Sequence, residues 1–422
     1  MPCSKLGDTY PPMPLRLVSF VGLLAMLLLA WLCSENRRAM NWRLIVSGLL
    51  LQAALGVLLL WSPPGQRAFR AVREFIANLI ECSDAGARFV FGAFFWNPDY
   101  FPDGPPFALT ILPTVIFFSS LTAMLFHLGV LQWVVKGMAR VMVWVMDTSG
   151  AESLCTSANV FIGMTTAPLT IRPYLPTMTR SELMAMMTGG MATVAGGVMA
   201  VYAGMGADAG HLAVASLMSA PAALVVAKIM VPERDVSPTK GVVRIEIPRE
   251  DANVLEAACR GAGEGLKLAL NILAMLIAFI AIVHMLNWGL SAFPDVAGDP
   301  LTLQRILGWL GAPLAWLMGV EWTDAPTVGR LLGEKIIFNE FIAYQSLNSP
   351  EVADVLSPRS FTIATYALCG FANFGSIAVM IGGIGGLAPE RRGELAALGL
   401  RSLIGGALAT FMTAAIAGML IE

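Results

Sequence analysis

Glu340 lies between Asn339 and Phe341 in an otherwise apolar stretch of an apolar chain. An ionisable group at membrane depth is expensive, and it marks a functional position by default. A carboxylate suits a cargo with adjacent hydroxyls, because it accepts from two of them through charge-assisted bonds. Lys335, five residues earlier, supplies the competing reading of a simple ion pair. A second set of polar residues sits among glycines. Thr193 and Val194 fall between Gly189-Gly190 and Gly196-Gly197, and Asn373 and Ser376 accompany Gly370 and Gly375. Glycine eases departure from helical geometry, and a helix broken in hydrocarbon frees carbonyls and amides that need partners. Neutral oxygens from Asn159 and Thr193, with breaks expected beside Ile162 and Val194, suit a hard monovalent cation such as Na+. Two plainer readings compete. The glycines can serve close helix packing alone, and Asn159 can simply hydrogen-bond within its own segment.

These residues need elements to hold them. A helix crosses the bilayer core with roughly 20 apolar residues. Stretches without Asp, Glu, Lys or Arg occur at 17–33, 44–61, 107–126, 183–206, 211–227, 268–293, 361–388 and 402–421, eight candidate spans. The first is read as a retained helix, since no small-residue cleavage site follows it and Arg37 and Arg38 cap it. Residues 66–81 place Phe69, Val72, Ile76, Leu79 and Ile80 on one helical face and charges on the other. That pattern fits an interfacial helix as well as a soluble amphipathic one. Basic residues do not sort between alternate loops, which leaves orientation open.

Segments 151–181 and 323–349 are too polar for ordinary spans and too apolar for loops. Each is expected to form a re-entrant hairpin, a form tolerated only where protein or water covers its free backbone groups. Each precedes a glycine-interrupted span, 183–206 and 361–388. Such a pair in corresponding halves points to a transporter's binding site. Setting Arg180-Ser181 on Arg359-Ser360 places Thr193, Val194, Gly196 and Gly197 on Ala372, Asn373, Gly375 and Ser376, with four identities over 18 positions. The repeated order of hairpin and broken helix carries more weight than those identities. The expected organisation is an N-terminal part over 1–106, a first repeat over 107–231, a polar linker over 232–267 and a second repeat over 268–422.

Composition excludes other classes. Of 422 residues, 56% are hydrophobic and 13% charged, against roughly 25% charged in soluble domains. This makes the chain an integral membrane protein surrounded by lipid, and it is expected to be all-α, multi-pass and in the plasma (inner) membrane. A net charge of −2 argues against a nucleic-acid partner. Six scattered cysteines without C-x-x-C spacing and three scattered histidines suggest neither a disulfide framework nor a metal centre. An enzyme using Glu340 and Lys335 lacks a nucleophile–base pair to support it.

The stretches ANVFIGMTTAPLTIRPYLP, SELMAMMTGGMATVAGGV, APLAWLMGVEWTDAPTVGRLLGEKIIFNEFIAY and LCGFANFGSIAVMIGGIGGLAPERR resemble the concentrative nucleoside transporter family. The likeness runs from about residue 107 to the C-terminus and is most specific in the last two stretches. It is closer to the animal-type, sodium-coupled branch, because Asn159 is present. The resemblance implies a homotrimer of eight-helix protomers, each with an outer scaffold and an inner transport domain that moves as an elevator. It places Na+ on Asn159, Ile162, Thr193 and Val194, as coupling ion and without any other cofactor. It places ribose on Glu340 of the NEF motif and on Asn373 and Ser376, with Phe371 and Val198 beside the nucleoside.

The hairpin tip departs from the family. The family writes G-Q-T-E, whose Gln, Thr and Glu face the nucleobase; here the tip is Gly163-Met164-Thr165-Thr166. An amide has become a thioether and a carboxylate a hydroxyl. A site built on hydrogen bonds loses discrimination when partners vanish. The resulting expectation is a sodium-coupled symporter for nucleosides or nucleoside-like molecules with altered base selectivity. A cargo with vicinal hydroxyls but no base, and a sensor that binds without transporting, remain alternatives.

Overall fold

The structure, a computed structural model, describes residues 15–421 apart from 93–96, 98, 100, 102–105, 242–250, 297 and 299. The expectations for residues 1–14 and for the middle of the 232–267 linker therefore fall outside the described residues. The chain is helical, and no strand occurs among the described residues. The helices are α1 (Leu15–Leu32), α2 (Trp42–Leu60), α3 (Pro63–Phe91), α4 (Phe107–His127), α5 (Val130–Met146), α6 (Gly150–Ile162), α7 (Arg180–Ala192), α8 (Gly196–Gly204) and α9 (Ala209–Met230). After the linker come α10 (Val254–Leu290), α11 (Leu303–Leu317), α12 (Ala325–Ile337), α13 (Glu340–Leu347), the single turn α14 (Pro350–Ala353), α15 (Pro358–Leu368), α16 (Phe374–Leu387) and α17 (Arg392–Leu420).

Among the described residues, seven helices are long and apolar enough to cross a membrane: Leu15–Leu32, Trp42–Leu60, Phe107–His127, Arg180–Gly204, Ala209–Met230, Val254–Leu290 and Pro389–Leu420. The eighth expected span, 361–388, is divided between α15 and α16. The seven sort by burial. The α7–α8, α9 and α17 spans are 83%, 89% and 83% buried, whereas α4 and α10 are 22% and 17% buried. A helix hydrophobic all round and enclosed by others is a core element, and one that is apolar yet exposed faces lipid or another subunit. The core is therefore built from α7, α8, α9, α15 and α17, with α4 and α10 paired at its edge. Gly261 and Gly265 of α10 make that pairing close: an added methyl would lie 2.7 Å from the Ser119 carbonyl and 2.8 Å from Cα of Ile116.

Several expected boundaries move. The amphipathic segment 66–81 is the middle of the longer α3, entered through Ser62, whose side chain accepts from the Gly65 N–H, with proline in the first turn. Helix α10 begins at Val254, inside the expected linker, and includes its residues 254–267. Asn253 caps that helix by accepting from the Glu256 N–H at 2.9 Å, and Arg260 pairs with Asp251 and Glu264 along it. Local caps and charge pairs of this kind make a polar stretch helical.

The described part of the linker is a strap across the core. Gly150 N–H donates to the Thr239 carbonyl at 2.9 Å, and the Ser237 hydroxyl donates to Glu182. Beneath it the Lys228 ammonium meets Glu152 at 2.7 Å and Glu233 at 3.1 Å. Glu152 and Glu182 each close a capping box, with Ser149 at the start of α6 and Thr179 at the start of α7. The strap thus fixes the roots of the two elements that carry Asn159 and Thr193.

Candidate functional site

Segment 151–181 folds as α6, a short turn and a 3-10 helix over Ala167–Thr177. The helix stops at Gly163, whose φ of +82° is a conformation that L side chains rarely adopt. Asn159 lies one turn before that stop. It is 1% exposed, and neither its side-chain oxygen nor its nitrogen has a hydrogen-bond partner. An unpaired buried amide costs about 1–3 kcal/mol, so this group needs a partner that the helix around it does not supply.

Facing the tip is the break between α7 and α8. Thr193 is extended, with φ −115° and ψ 161°, and its hydroxyl donates to the Gly189 carbonyl at 2.8 Å. Val194 N–H donates to the Ser216 hydroxyl at 3.3 Å, and that hydroxyl is 3.2 Å from the Val194 carbonyl. The tip abuts the break: a methyl on Gly163 would lie 3.0 Å from Cβ of Ala195, and one on Gly196 would lie 3.5 Å from the Phe161 carbonyl. Asn159, Ile162, Thr193 and Val194 are therefore on facing segments. Their oxygens are neutral, and the Asn159 amide has no internal partner, a donor set that fits Na+.

The second break, between α15 and α16, crosses the first. Gly370 has φ +107°, and an added methyl would lie 2.8 Å from the carbonyls of Met191 and Ala192. No other residue fits there without displacing the first broken helix. The last carbonyls of α15 are bound by Lys335, which is 0% exposed; its ammonium donates to Ala367 at 2.8 Å, to Cys369 at 3.2 Å and to the Thr410 hydroxyl at 3.1 Å. A cation at a helix C-terminus is favourable. The sequence allowed Lys335 to be the ion-pair partner of Glu340; the structure gives it to the broken helix instead.

Glu340, 2% exposed, is the first residue of α13. One carboxylate oxygen accepts from the Tyr202 hydroxyl at 2.9 Å, and the other accepts from the Asn373 amide nitrogen at 2.8 Å. Asn373 is fixed at its other end, where its oxygen accepts from Ser376 N–H at 2.8 Å and caps α16. Glu340 thus takes one donor from each broken helix, and the starts of α13 and α16 point their positive ends towards it. An ionised carboxylate offers about four acceptor positions, and these two side-chain donors occupy one on each oxygen.

The remaining expected residues spread from this centre. Val198 and Ser376 are buried, and Phe371 is half-buried in the second break. At the tip, Met164 packs over Gly190, where an added methyl would lie 2.8 Å from Cβ of Met164. Thr165 is exposed and its methyl lies 3.5 Å from the same position on Gly383. Gly383 is seven residues beyond Ser376 in α16, about 10 Å along the helix axis. The tip and the Glu340 centre therefore sit at two ends of one helix. Thr166 is half-buried at the start of the 3-10 helix.

Sequence reasoning missed Tyr202 and Ser216. Tyr202 lies in an uncharged run, where a tyrosine reads as core or interface; the usable signal was its hydroxyl, which must find a partner once buried. Ser216 gave no signal.

Comparison with known proteins fits this geometry. Residues 211–418 match the family described as Na+ dependent nucleoside transporter C-terminus, residues 21–94 match its N-terminus, and residues 108–209 match a family described as nucleoside recognition. A protein named uncharacterized transporter from Haemophilus influenzae is 42% identical over 410 residues, covering 96% of this chain and 98% of its own length. The chain belongs to the concentrative nucleoside transporter family. Solute carrier family 28 member 3 of Mus musculus is 42% identical over 435 residues, covering 99% of this chain. The chain spans 60% of the length of that mammalian relative. Among solved structures, CNTnw in an inward-facing substrate-bound state has a TM-score of 0.89 at 40% identity, covering 96% of this chain and 98% of CNTnw. A doubly substituted CNTnw in an outward-facing state has a TM-score of 0.91 at the same identity and coverage. A family member with this composition is a multi-pass integral membrane transporter.

Proposed function

We propose that this chain is a sodium-coupled symporter of nucleosides or nucleoside-like molecules with altered base selectivity. The observation that carries the reading is the Glu340 carboxylate, fixed by Tyr202 at 2.9 Å on one oxygen and by Asn373 at 2.8 Å on the other. That arrangement suits the two adjacent hydroxyls of a ribose. Ser376 completes the ribose side, with Val198 and Phe371 along the nucleoside. Sodium is held by the side chains of Asn159 and Thr193 and the carbonyls of Ile162 and Val194. The unpartnered Asn159 amide supports this assignment, since an ion would satisfy its oxygen.

Segments 151–181 and 323–349 act as re-entrant hairpins of two related repeats. Cargo crosses by elevator-type alternating access within a homotrimer, whose fixed part includes the exposed pair α4 and α10. CNTnw is known in both inward-facing and outward-facing states, which supports alternating access in a chain of this similarity. Uptake of labelled uridine and adenosine into proteoliposomes tests the proposal. Uptake should require an inward sodium gradient at fixed pH; equal uptake driven by protons in sodium-free buffer would overturn the coupling.

One observation favours a second reading. Met164 and Thr166 stand where the family has an amide and a carboxylate, and Met164 packs on Gly190 near the Met380 sulfur. A tip this apolar suits a cargo with vicinal hydroxyls and no base. Small polyols in the same uptake panel separate the two readings.

A further inference from the structure

We propose that Tyr202 couples sodium binding to cargo binding, by holding the Glu340 carboxylate from the same short helix that begins at the ion-binding break. The inference rests on the sodium-coupled reading above.

The geometry that carries it is the reach of α8. This helix has nine residues, Gly196–Gly204, and starts directly after Thr193, Val194 and Ala195. Tyr202 lies six residues beyond Gly196, about 9 Å along the axis. A helix this short moves as a rigid piece, so a shift at the break arrives at Tyr202 undiminished. At the break, α8 faces the tip of the first hairpin across the Gly163–Ala195 and Phe161–Gly196 contacts. An ion drawn to Asn159 from one side and to Thr193 and Val194 from the other sets the separation of tip and break.

At its other end Tyr202 holds α13 in three ways. Its hydroxyl donates to Glu340 at 2.9 Å, its ring stacks on Tyr344 at 4.4 Å, and it meets the Phe341 ring edge-on at 4.9 Å. Among the described residues Tyr202, Tyr344 and Tyr366 are fully buried. Tyr344 gives its hydroxyl to the Thr365 carbonyl at 2.7 Å, and the Tyr366 hydroxyl lies 3.2 Å from the His211 ring nitrogen. Tyr202 alone of these three gives its hydroxyl to the carboxylate proposed to bind cargo.

The Asn373 bond holds only one oxygen of Glu340, and the terminal torsion of a glutamate is broad. The Tyr202 bond stops the carboxylate turning about that single anchor. Hydrogen bonds weaken steeply with angle and distance, so a shift of α8 of about 1 Å is enough to release it. Without sodium α8 relaxes, the carboxylate turns, and its oxygens no longer match a diol. Tyr202 is thus a positioning residue.

The test is the coupling factor, not affinity alone. Uridine affinity of the purified full chain is measured by calorimetry in saturating sodium and in sodium-free choline buffer. In the native protein sodium should tighten uridine about tenfold, within the ordinary range of coupling between sites. Tyr202→Phe keeps both ring contacts and should reduce that factor to below about twofold, with sodium affinity in the absence of uridine unchanged. Tyr344→Phe removes a neighbouring hydroxyl that does not touch Glu340, and should leave the factor intact. An equal loss of uridine affinity with and without sodium in Tyr202→Phe would show a merely structural role and overturn the inference. So would an equal drop in the factor for Tyr344→Phe. Hydrogen exchange on the native protein needs no variant to fold: sodium alone should slow amide exchange in 340–347, and unchanged exchange there overturns the inference. Native protein whose uridine binding ignores sodium would instead bring down the sodium-coupled reading, and this inference with it.

Discussion

Glu340→Gln separates a cargo-binding carboxylate from a structural one, and its effect can be worked from the two bonds already described. An amide has one acceptor oxygen and one donor nitrogen where the carboxylate has two acceptors. Asn373 cannot turn to meet a donor, because its oxygen caps α16 through Ser376 N–H at 2.8 Å. The new amide oxygen must therefore face Asn373, and the new nitrogen must face Tyr202. The Tyr202 hydroxyl can rotate and accept, so both internal bonds survive and the fold should hold. Cargo suffers instead. Each hydroxyl that gave a charge-assisted bond worth about 1.5–3 kcal/mol now has a neutral partner worth about 0.5–1.5 kcal/mol, or a donor facing it. Two such bonds predict a loss of about 2–3 kcal/mol, roughly 30- to 150-fold in Kd. Calorimetry of uridine binding in sodium, beside a thermal-melting control, reads the result. Unchanged affinity in a stable variant would refute the assignment of Glu340 to cargo.

Three further outcomes are expected. Asn159→Ala should abolish the thermal stabilisation by sodium, which at 100 times Kd is about 2.7 kcal/mol, while leaving sodium-free stability intact because the lost amide has no partner; melting curves with and without sodium check it. Met164→Gln with Thr166→Glu should tighten uridine or adenosine tenfold or more, from one neutral bond of about 0.5–1.5 kcal/mol and one charged bond of about 1.5–3 kcal/mol, and unchanged affinity in folded protein would mean that cargo is not read at this tip. Lys228→Met leaves Glu152 buried without its 2.7 Å partner, so stability should fall by about 3–5 kcal/mol; adding Glu152→Gln should recover much of it, as read from thermal unfolding.

How far the sequence reached depended on how local each signal was. Helix breaks were legible because Gly370 and the Gly189–Gly197 cluster stand out in hydrocarbon-length runs, and a break there is costly unless used. Glu340 was legible for the same reason. The α5 and α11 helices were not, since Lys136 and Arg140 interrupt one charge-free run and Arg305 and Glu321 bound the other too closely. The start of α10 was hidden by its charges, which pair along the helix rather than marking a loop. Lys335 and Tyr202 needed the fold. Lys335 is near Glu340 in sequence, yet its ammonium is taken by carbonyls 32 and 34 residues away. Tyr202 meets Glu340 across 138 residues.

That long-range bond bears on where the hairpin tip stands relative to Glu340. The tip makes its contacts at the break and at the far end of α16, on Gly190, Ala195 and Gly383, while the groups that orient Glu340 come from Tyr202 and Asn373. Met164 and Thr166 therefore lie outside the hydrogen-bond network around Glu340. Under the proposed function, replacing an amide and a carboxylate at the tip would remove contacts to one end of a cargo without unpairing a buried group at the other. Buried polar networks are costly to leave half-satisfied, so substitution is easiest where the network ends. Under the proposed function, base selectivity would drift on this scaffold while the Glu340 carboxylate and its two donors stay fixed.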